Sequence, residues 1–175
     1  MKYRRYTLLS EFRELGNRVM ARIVAKDIVT YILPSGERAF TQPFRYVGPF
    51  REVNGRWVAV ARYPAGRTLH ITPDGRCAYR RGTRFSSATE FEQHGSVWNA
   101  IVQEKEESLL IDPSGKVLAR GYGIRQFLWI DCKHHIAFVE ANKRGDGWFI
   151  DPTGSRISPD NPLQARYWAQ NPPMY

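Results

Sequence analysis

The eleven residues "LLIDPSGKVLA", 109–119, decide how this chain is read, because close variants recur three more times. "TYILPSGERAF" begins at Thr30, "LHITPDGRCAY" at Leu69 and "WFIDPTGSRIS" at Trp148. In each phrase Pro pre-sets the first turn position, the next residue takes the bridge region, and Gly supplies the left-handed residue of a bulge. The phrase is a hairpin tip. Asp112 and Asp151 stand where an Asp can hydrogen-bond forward to the turn backbone. The shared Pro falls at 34, 73, 113 and 152, a spacing of 39, 40 and 39 residues, and a period of that size marks a tandem repeat.

Other landmarks keep the same step. An Ile stands two residues before each Pro: Ile32, Ile71, Ile111 and Ile150. A large apolar residue precedes each Ile by 20 or 21 positions: Phe12, Phe50, Phe91 and Ile130. Between them an Ala recurs at Ala21, Ala59, Ala100 and Ala137, and the corner glycines are Gly36, Gly75, Gly115 and Gly154. Four units follow, at about 6–42, 44–82, 85–121 and 124–158. Each reads as up to four short strands. In the second they fall at 44–52, 56–63, 68–72 and 76–81, separated by Asn54-Gly55, by Pro64 to Gly66 and by the Pro73 corner. Along the Ala strand one face is nearly all apolar (Val19-Ala21-Ile23, Trp57-Ala59-Ala61, Trp98-Ala100-Val102, His135-Ala137-Val139) and the other is mixed. That alternation places one face in a core. A small residue at the same place in every unit marks a crowded point that a Leu would overpack.

The expected fold is all-β, built from four tandem antiparallel units of about 39 residues. Strands this short cannot bury a core singly, so units must lean on one another. A four-bladed propeller or a closed hairpin-repeat arrangement would do this and hide most strand edges. Residues 1–158 form one domain on this reading. The tail, 159–175, is rich in Pro, forms no obvious strand, and carries Tyr167 and Trp168 to dock it.

With these units in view, residues 6 to about 158 resemble the WG-repeat (KWG-repeat) family, whose copies run from an aromatic through a small residue in an apolar strand to Gly-Tyr-Ile-Asp-x-x-Gly. "GWFIDPTG" at 147–154 and "LLIDPSG" at 109–115 match best. The Trp-Gly pair that names the family is replaced by Val29-Thr30, Thr68-Leu69, Ser108-Leu109 and Gly147-Trp148. The resemblance implies an all-β repeat used as an interaction scaffold, with no catalytic residues to carry over.

Composition sets outer bounds. A chain of 175 residues is about one domain and buries roughly 70% of its unfolded surface. With 42% apolar and 25% charged residues it reads as globular rather than disordered. No run reaches a membrane span, and "MKYRRYTLLSEF" has too short an apolar patch for a secretory signal. Cys77 and Cys132 fall at non-equivalent points of the repeat, which points to a reducing cytoplasm. The net charge of +9 is uneven: residues 1–84 hold 17 Lys and Arg against 6 Asp and Glu, net +11, whereas 85–175 hold 9 against 11, net −2.

Candidate chemistry is sparse. His134 and His135 are adjacent and so point to opposite strand faces, and His70 beside Ile71 is read as turned away from the core. No His-x-x-x-His or Cys-x-x-Cys occurs, so neither metal nor cofactor is expected. No nucleophile has a local base signature, and no enzyme activity is expected. The densest basic stretch is "RCAYRRGTRF", 76–85, in which Arg76, Arg80, Arg81 and Arg84 interleave with Tyr79 and Phe85. These six are the candidate partner-binding residues. The leading expectation is a protein-binding module, in one form an immunity-like inhibitor of an effector, engaging an acidic partner through its basic half. The alternative is a nucleic-acid-binding protein using the same Arg and aromatic residues.

Overall fold

The computed structural model describes residues 5–79, 84–130 and 134–170. It is β-rich, with one short helix. Its strands repeat in the expected step. The first copy holds β1 (Thr7–Leu8), β2 (Arg13–Leu15), β3 (Arg18–Ala25) and β4 (Ile28–Ile32). The second holds β5 (Tyr46–Val47), β6 (Arg51–Val53), β7 (Arg56–Arg62) and β8 (Thr68–Ile71). The third holds β9 (Ser87–Ala88), β10 (Glu92–His94), β11 (Val97–Glu104), β12 (Glu107–Ile111) and β13 (Val117–Gly121). The fourth holds β14 (Gly123–Ile124), β15 (Leu128–Trp129), β16 (His135–Glu140) and β17 (Gly147–Ile150), followed by α1 (Pro162–Gln170). The chain divides into two compact units, Met1–Phe91 with Pro113–Gly115, and Glu92–Asp112 with Lys116–Tyr175.

The landmarks take the same place in each copy. Ala21 pairs with Ile32, Ala59 with Ile71, Ala100 with Ile111 and Ala137 with Ile150, all across antiparallel central hairpins. All eight residues are buried. Each Ile then pairs six residues onward across its corner, with Arg38, Cys77, Val117 and Arg156 respectively. The corner is the anticipated turn closed by a glycine bulge. Leu33, Thr72, Asp112 and Asp151 donate their amides to the carbonyls of Glu37, Arg76, Lys116 and Ser155 at 2.9–3.0 Å. The four glycines sit at φ between 77° and 84°, a region open to Gly without steric cost. Asp112 Oδ1 accepts from Lys116 N, and Asp151 Oδ1 from Thr153 N and Ser155 N. The Asn54-Gly55 turn has φ of 51° and 73°, the signature of a tight type I′ hairpin.

Conformation alone does not account for the corner glycines. In three copies the corner lies on the preceding copy. A Cβ on Gly75 would stand 3.0 Å from the Phe40 ring, one on Gly115 2.8 Å from the Tyr79 ring, and one on Gly154 2.6 Å from the Leu118 carbonyl. Phe40, Tyr79 and Leu118 all follow the corner of the copy before. Side chains of the earlier copy also reach the later corner: Arg18 donates to the Pro73 carbonyl at 3.0 Å and Asn99 to that of Pro152 at 2.9 Å. A Cβ on Gly36, in the first copy, would meet nothing within 4 Å among the described residues.

Several expectations are corrected. Among the described residues no sheet closes into a barrel or propeller. β1 to β8 instead form one open eight-stranded sheet, because β5 pairs antiparallel with β7 and parallel with β4, joining the first two copies edge to edge. The strand expected over 44–52 is two strands, β5 and β6, interrupted at Gly48-Pro49, since Pro cannot donate to a ladder. The mixed face of the central strand is covered too: Met20, Val58, Val60, Asn99, Ile136 and Phe138 are buried. The same two-sided burial encloses His70, which is fully inside rather than turned outward. Among the landmarks Phe12 departs from its counterparts. It is 42% exposed, whereas Phe50, Phe91 and Ile130 are buried.

The tail contains α1. Asn161 caps it, accepting the Leu163 amide at 3.0 Å, with Pro162 in the first helical position, where a missing N–H costs nothing. Tyr167 is fully buried in a cluster with Ile130, Ile136, Phe138 and Phe149, and Trp168 packs beside it. Both rings meet Phe149 in edge-on geometry, at 4.9 and 5.5 Å between centroids. No helix among the described residues is long and apolar enough to cross a membrane.

Candidate functional site

The basic stretch expected to bind a partner is divided by the fold. Tyr79 and Phe85 are buried. The Tyr79 ring lies under Gly115, and Phe85 pairs its backbone with Thr68. Neither ring can stack on a ligand from the surface. Arg76 is exposed and pairs with Asp74 at 3.3 Å, and Arg84 lies 4.8 Å over the Tyr63 ring. Arg80 and Arg81 lie outside the described residues. Arg76 is thus a surface charge, while Tyr79 and Phe85 are structural.

Tyr79 belongs to a polar link between copies. Its hydroxyl bonds His70 Nδ1, and His70 Nε2 lies 2.8 Å from the Thr89 carbonyl. A carbonyl only accepts, so Nε2 carries the proton, Nδ1 accepts, and the Tyr79 hydroxyl donates. Burial lowers the His70 pKa to about 4, offset in part by the Thr89 bond. One copy earlier, the matching position on β4 is Tyr31. Its hydroxyl donates to the Gly48 carbonyl at 3.2 Å and accepts from Phe50 N at 3.3 Å. Burial raises the Tyr31 pKa, keeping it a neutral donor. In both cases a side chain just before the landmark Ile satisfies the loop that enters the next copy.

The unit holding the fourth copy has a cleft of about 440 Å³, lined by His94, Ser96, His134, His135, Asp151 and Asn161 among others. The imidazoles of His94 and His135 meet edge-on with centroids 4.9 Å apart, and Trp129 covers His135 at 4.0 Å. His94 Nδ1 and His135 Nε2 are buried without a hydrogen-bond partner. Burial, then the neighbouring His135, lowers the His94 pKa to about 4, and burial lowers that of His135. A neutral imidazole pair can donate and accept hydrogen bonds at such a cleft. Among the described residues no three His, Cys, Asp or Glu side chains converge to hold a metal.

The surface that sequence reasoning missed is on the first copy. Tyr6, Leu8, Leu9, Phe12 and Val19 are all exposed large apolar residues. Tyr6 immediately precedes β1, Leu8 is on β1, Leu9 and Phe12 lie between β1 and β2, and Val19 is on β3, with Arg5, Glu11, Arg13 and Glu14 exposed among them. Aromatic and aliphatic side chains rimmed by charge are a common composition for a protein contact. The available signal was compositional: Tyr6, Leu8, Leu9 and Phe12 put four large apolar residues within seven positions.

Compared with known proteins, the chain matches no family model and no curated protein sequence.

Proposed function

We propose that this protein is a non-enzymatic binding module that holds another protein, in one form an inhibitor that neutralises an effector. The carrying observation is the exposed apolar group at Tyr6, Leu8, Leu9, Phe12 and Val19, within a half of the chain whose net charge is +11. The aromatic and aliphatic anchors supply contact energy, and the field of the basic half steers an acidic partner toward them. The recurring hairpin corner supports kinship with WG-repeat scaffolds as part of this reading; a closed propeller does not belong to it.

The test uses the full chain, immobilised, with a partner captured from cells and then purified. Replacing Arg80 and Arg81 by Glu should slow association about tenfold at low salt and leave dissociation nearly unchanged. Equal association rates for the variant and the parent chain would remove the steering role. Tight retention of a mixed-sequence polynucleotide, with affinity falling steeply as salt rises, would assign the protein to nucleic acid instead.

A further inference from the structure

We infer that the first copy accepts an extended strand from its partner, added in parallel to the free edge of β1, in the manner that the second copy accepts β4. The inference rests on the binding role proposed above and names how that role is performed.

The internal junction supplies the template. β5 is flanked on one side by β7 and on the other by β4, with Val29 opposite Tyr46 in parallel register and Val29 N donating to the Arg45 carbonyl at 3.0 Å. Tyr31, on the same β4, then bonds Gly48 and Phe50, and Phe40 beyond its corner closes over Gly75. Every part of the receiving surface has a counterpart one repeat earlier. β1 pairs with β3 as β5 pairs with β7, and Leu9 N donates to the Arg22 carbonyl at 2.8 Å as Gly48 N donates to that of Val60 at 2.8 Å. The registers place Thr7 at Tyr46 and Leu8 at Val47, the β2 and β6 pairings place Phe12 at Phe50, and the corners place Gly36 at Gly75. Among the described residues the outer edge of β1 pairs with no strand, Phe12 is uncovered, and the space over Gly36 is open.

What fits is therefore defined by what fits one copy later. It is a strand with a large side chain reaching Phe12, followed by a turn that lays an apolar residue over Gly36. An unpaired edge gives main-chain affinity to such a strand, and side-chain pockets give selectivity. The +11 of the first half favours a segment of negative charge. A second copy of this chain is the poorer occupant: β4 is taken by β5, β12 by β13, and α1 packs over Phe149 of β17.

A probe can be taken from the chain itself. A labelled synthetic peptide of residues 106–119, "EESLLIDPSGKVLA", carries the third copy's strand and corner, with three acidic residues against one Lys. Titrated against the full chain, it should bind with a dissociation constant below about 1 mM. It should also protect the amides of residues 7–12 from hydrogen exchange. Phe12→Asp, at an exposed position, should weaken binding at least tenfold, while Trp129→Ala should leave it unchanged. A peptide of residues 28–40, with one Glu against one Arg, should bind several-fold more weakly at low salt.

No binding, or binding with protection confined to other segments, would overturn the proposal. So would concentration-dependent dimerisation abolished by Phe12→Asp, which would give the face to a second copy. Equal affinity for the two peptides would overturn the preference for negative charge. If a purified partner still binds the Phe12→Asp chain at full strength, the binding role stands and only its placement on β1 fails.

Discussion

In the fourth copy Phe149 lies against Tyr167 and Trp168 of α1; in the first copy Phe12 is 42% exposed, and a Cβ on Gly36 would meet nothing within 4 Å among the described residues. The two copies carry the same landmarks and the same central pairing, Ala with Ile. Their difference lies in what covers them. A repeat whose members bury themselves on neighbours leaves two unsatisfied faces per chain, and capping elements normally seal both. Here a helix covers one and the other is left bare among the described residues. The comparison teaches that burial of a landmark is a property of its neighbour as much as of its own side chain.

The comparison is most exposed to failure at the cap. Tyr167→Ala should destabilise the fold by about 3–5 kcal/mol, the cost of truncating a buried aromatic. Phe12→Ala, at a position 42% exposed, should cost only about 1 kcal/mol. Urea unfolding of both variants measures the contrast, and similar losses would mean that Phe12 is covered in solution.

The position before the landmark Ile sharpens the comparison through pH. It holds Tyr31, His70, Leu110 and Phe149 in turn, so only the second copy places an imidazole there. The folded pKa of His70, about 4, lies below its ordinary 6.5, so the unfolded chain takes up the proton first as pH falls. Its contribution to stability is complete above about pH 6.5 and is lost progressively as pH drops toward 4, on the order of 3 kcal/mol in all. His94 behaves in the same sense. His70→Gln should therefore reduce the dependence of unfolding free energy on pH between 6.5 and 4.5 by about one proton. An unchanged slope would show that His70 is not held neutral.

A smaller effect separates the two roles of the corner glycine. Gly36→Ala should cost about 1 kcal/mol, since only the left-handed backbone objects. Gly115→Ala has the same backbone strain and also drives a methyl into the Tyr79 ring, adding about 1–3 kcal/mol of overpacking. Equal costs would mean that the corner does not rest on its predecessor.

How much of this was legible in the sequence follows from the same contrast. Ala21, Ile32 and their counterparts were readable because periodic packing selects the same residue type in every copy. The corner glycines were readable for the same reason, though only as turns; their contact with Phe40, Tyr79 and Leu118 joins residues about 36 positions apart and leaves no local mark. Phe12 reads as equivalent to Phe50 because residue type does not record what packs over it. His70 was placed outside because alternation tells which side of a strand a residue takes, not whether that side meets water. The Arg and aromatic cluster was read as one surface because the burial of Tyr79 and Phe85 depends on other copies. The helix was hidden by its prolines, although Asn161-Pro162 spells a cap followed by the one helical position Pro favours.

The seat that each corner takes on the copy before it gives this architecture a direction of growth. A new copy spliced between two existing ones finds both halves of its contact already made, whereas one appended after α1 finds its place sealed. Internal duplication therefore adds a donor and an acceptor of the contact together and leaves the covered face under α1 undisturbed.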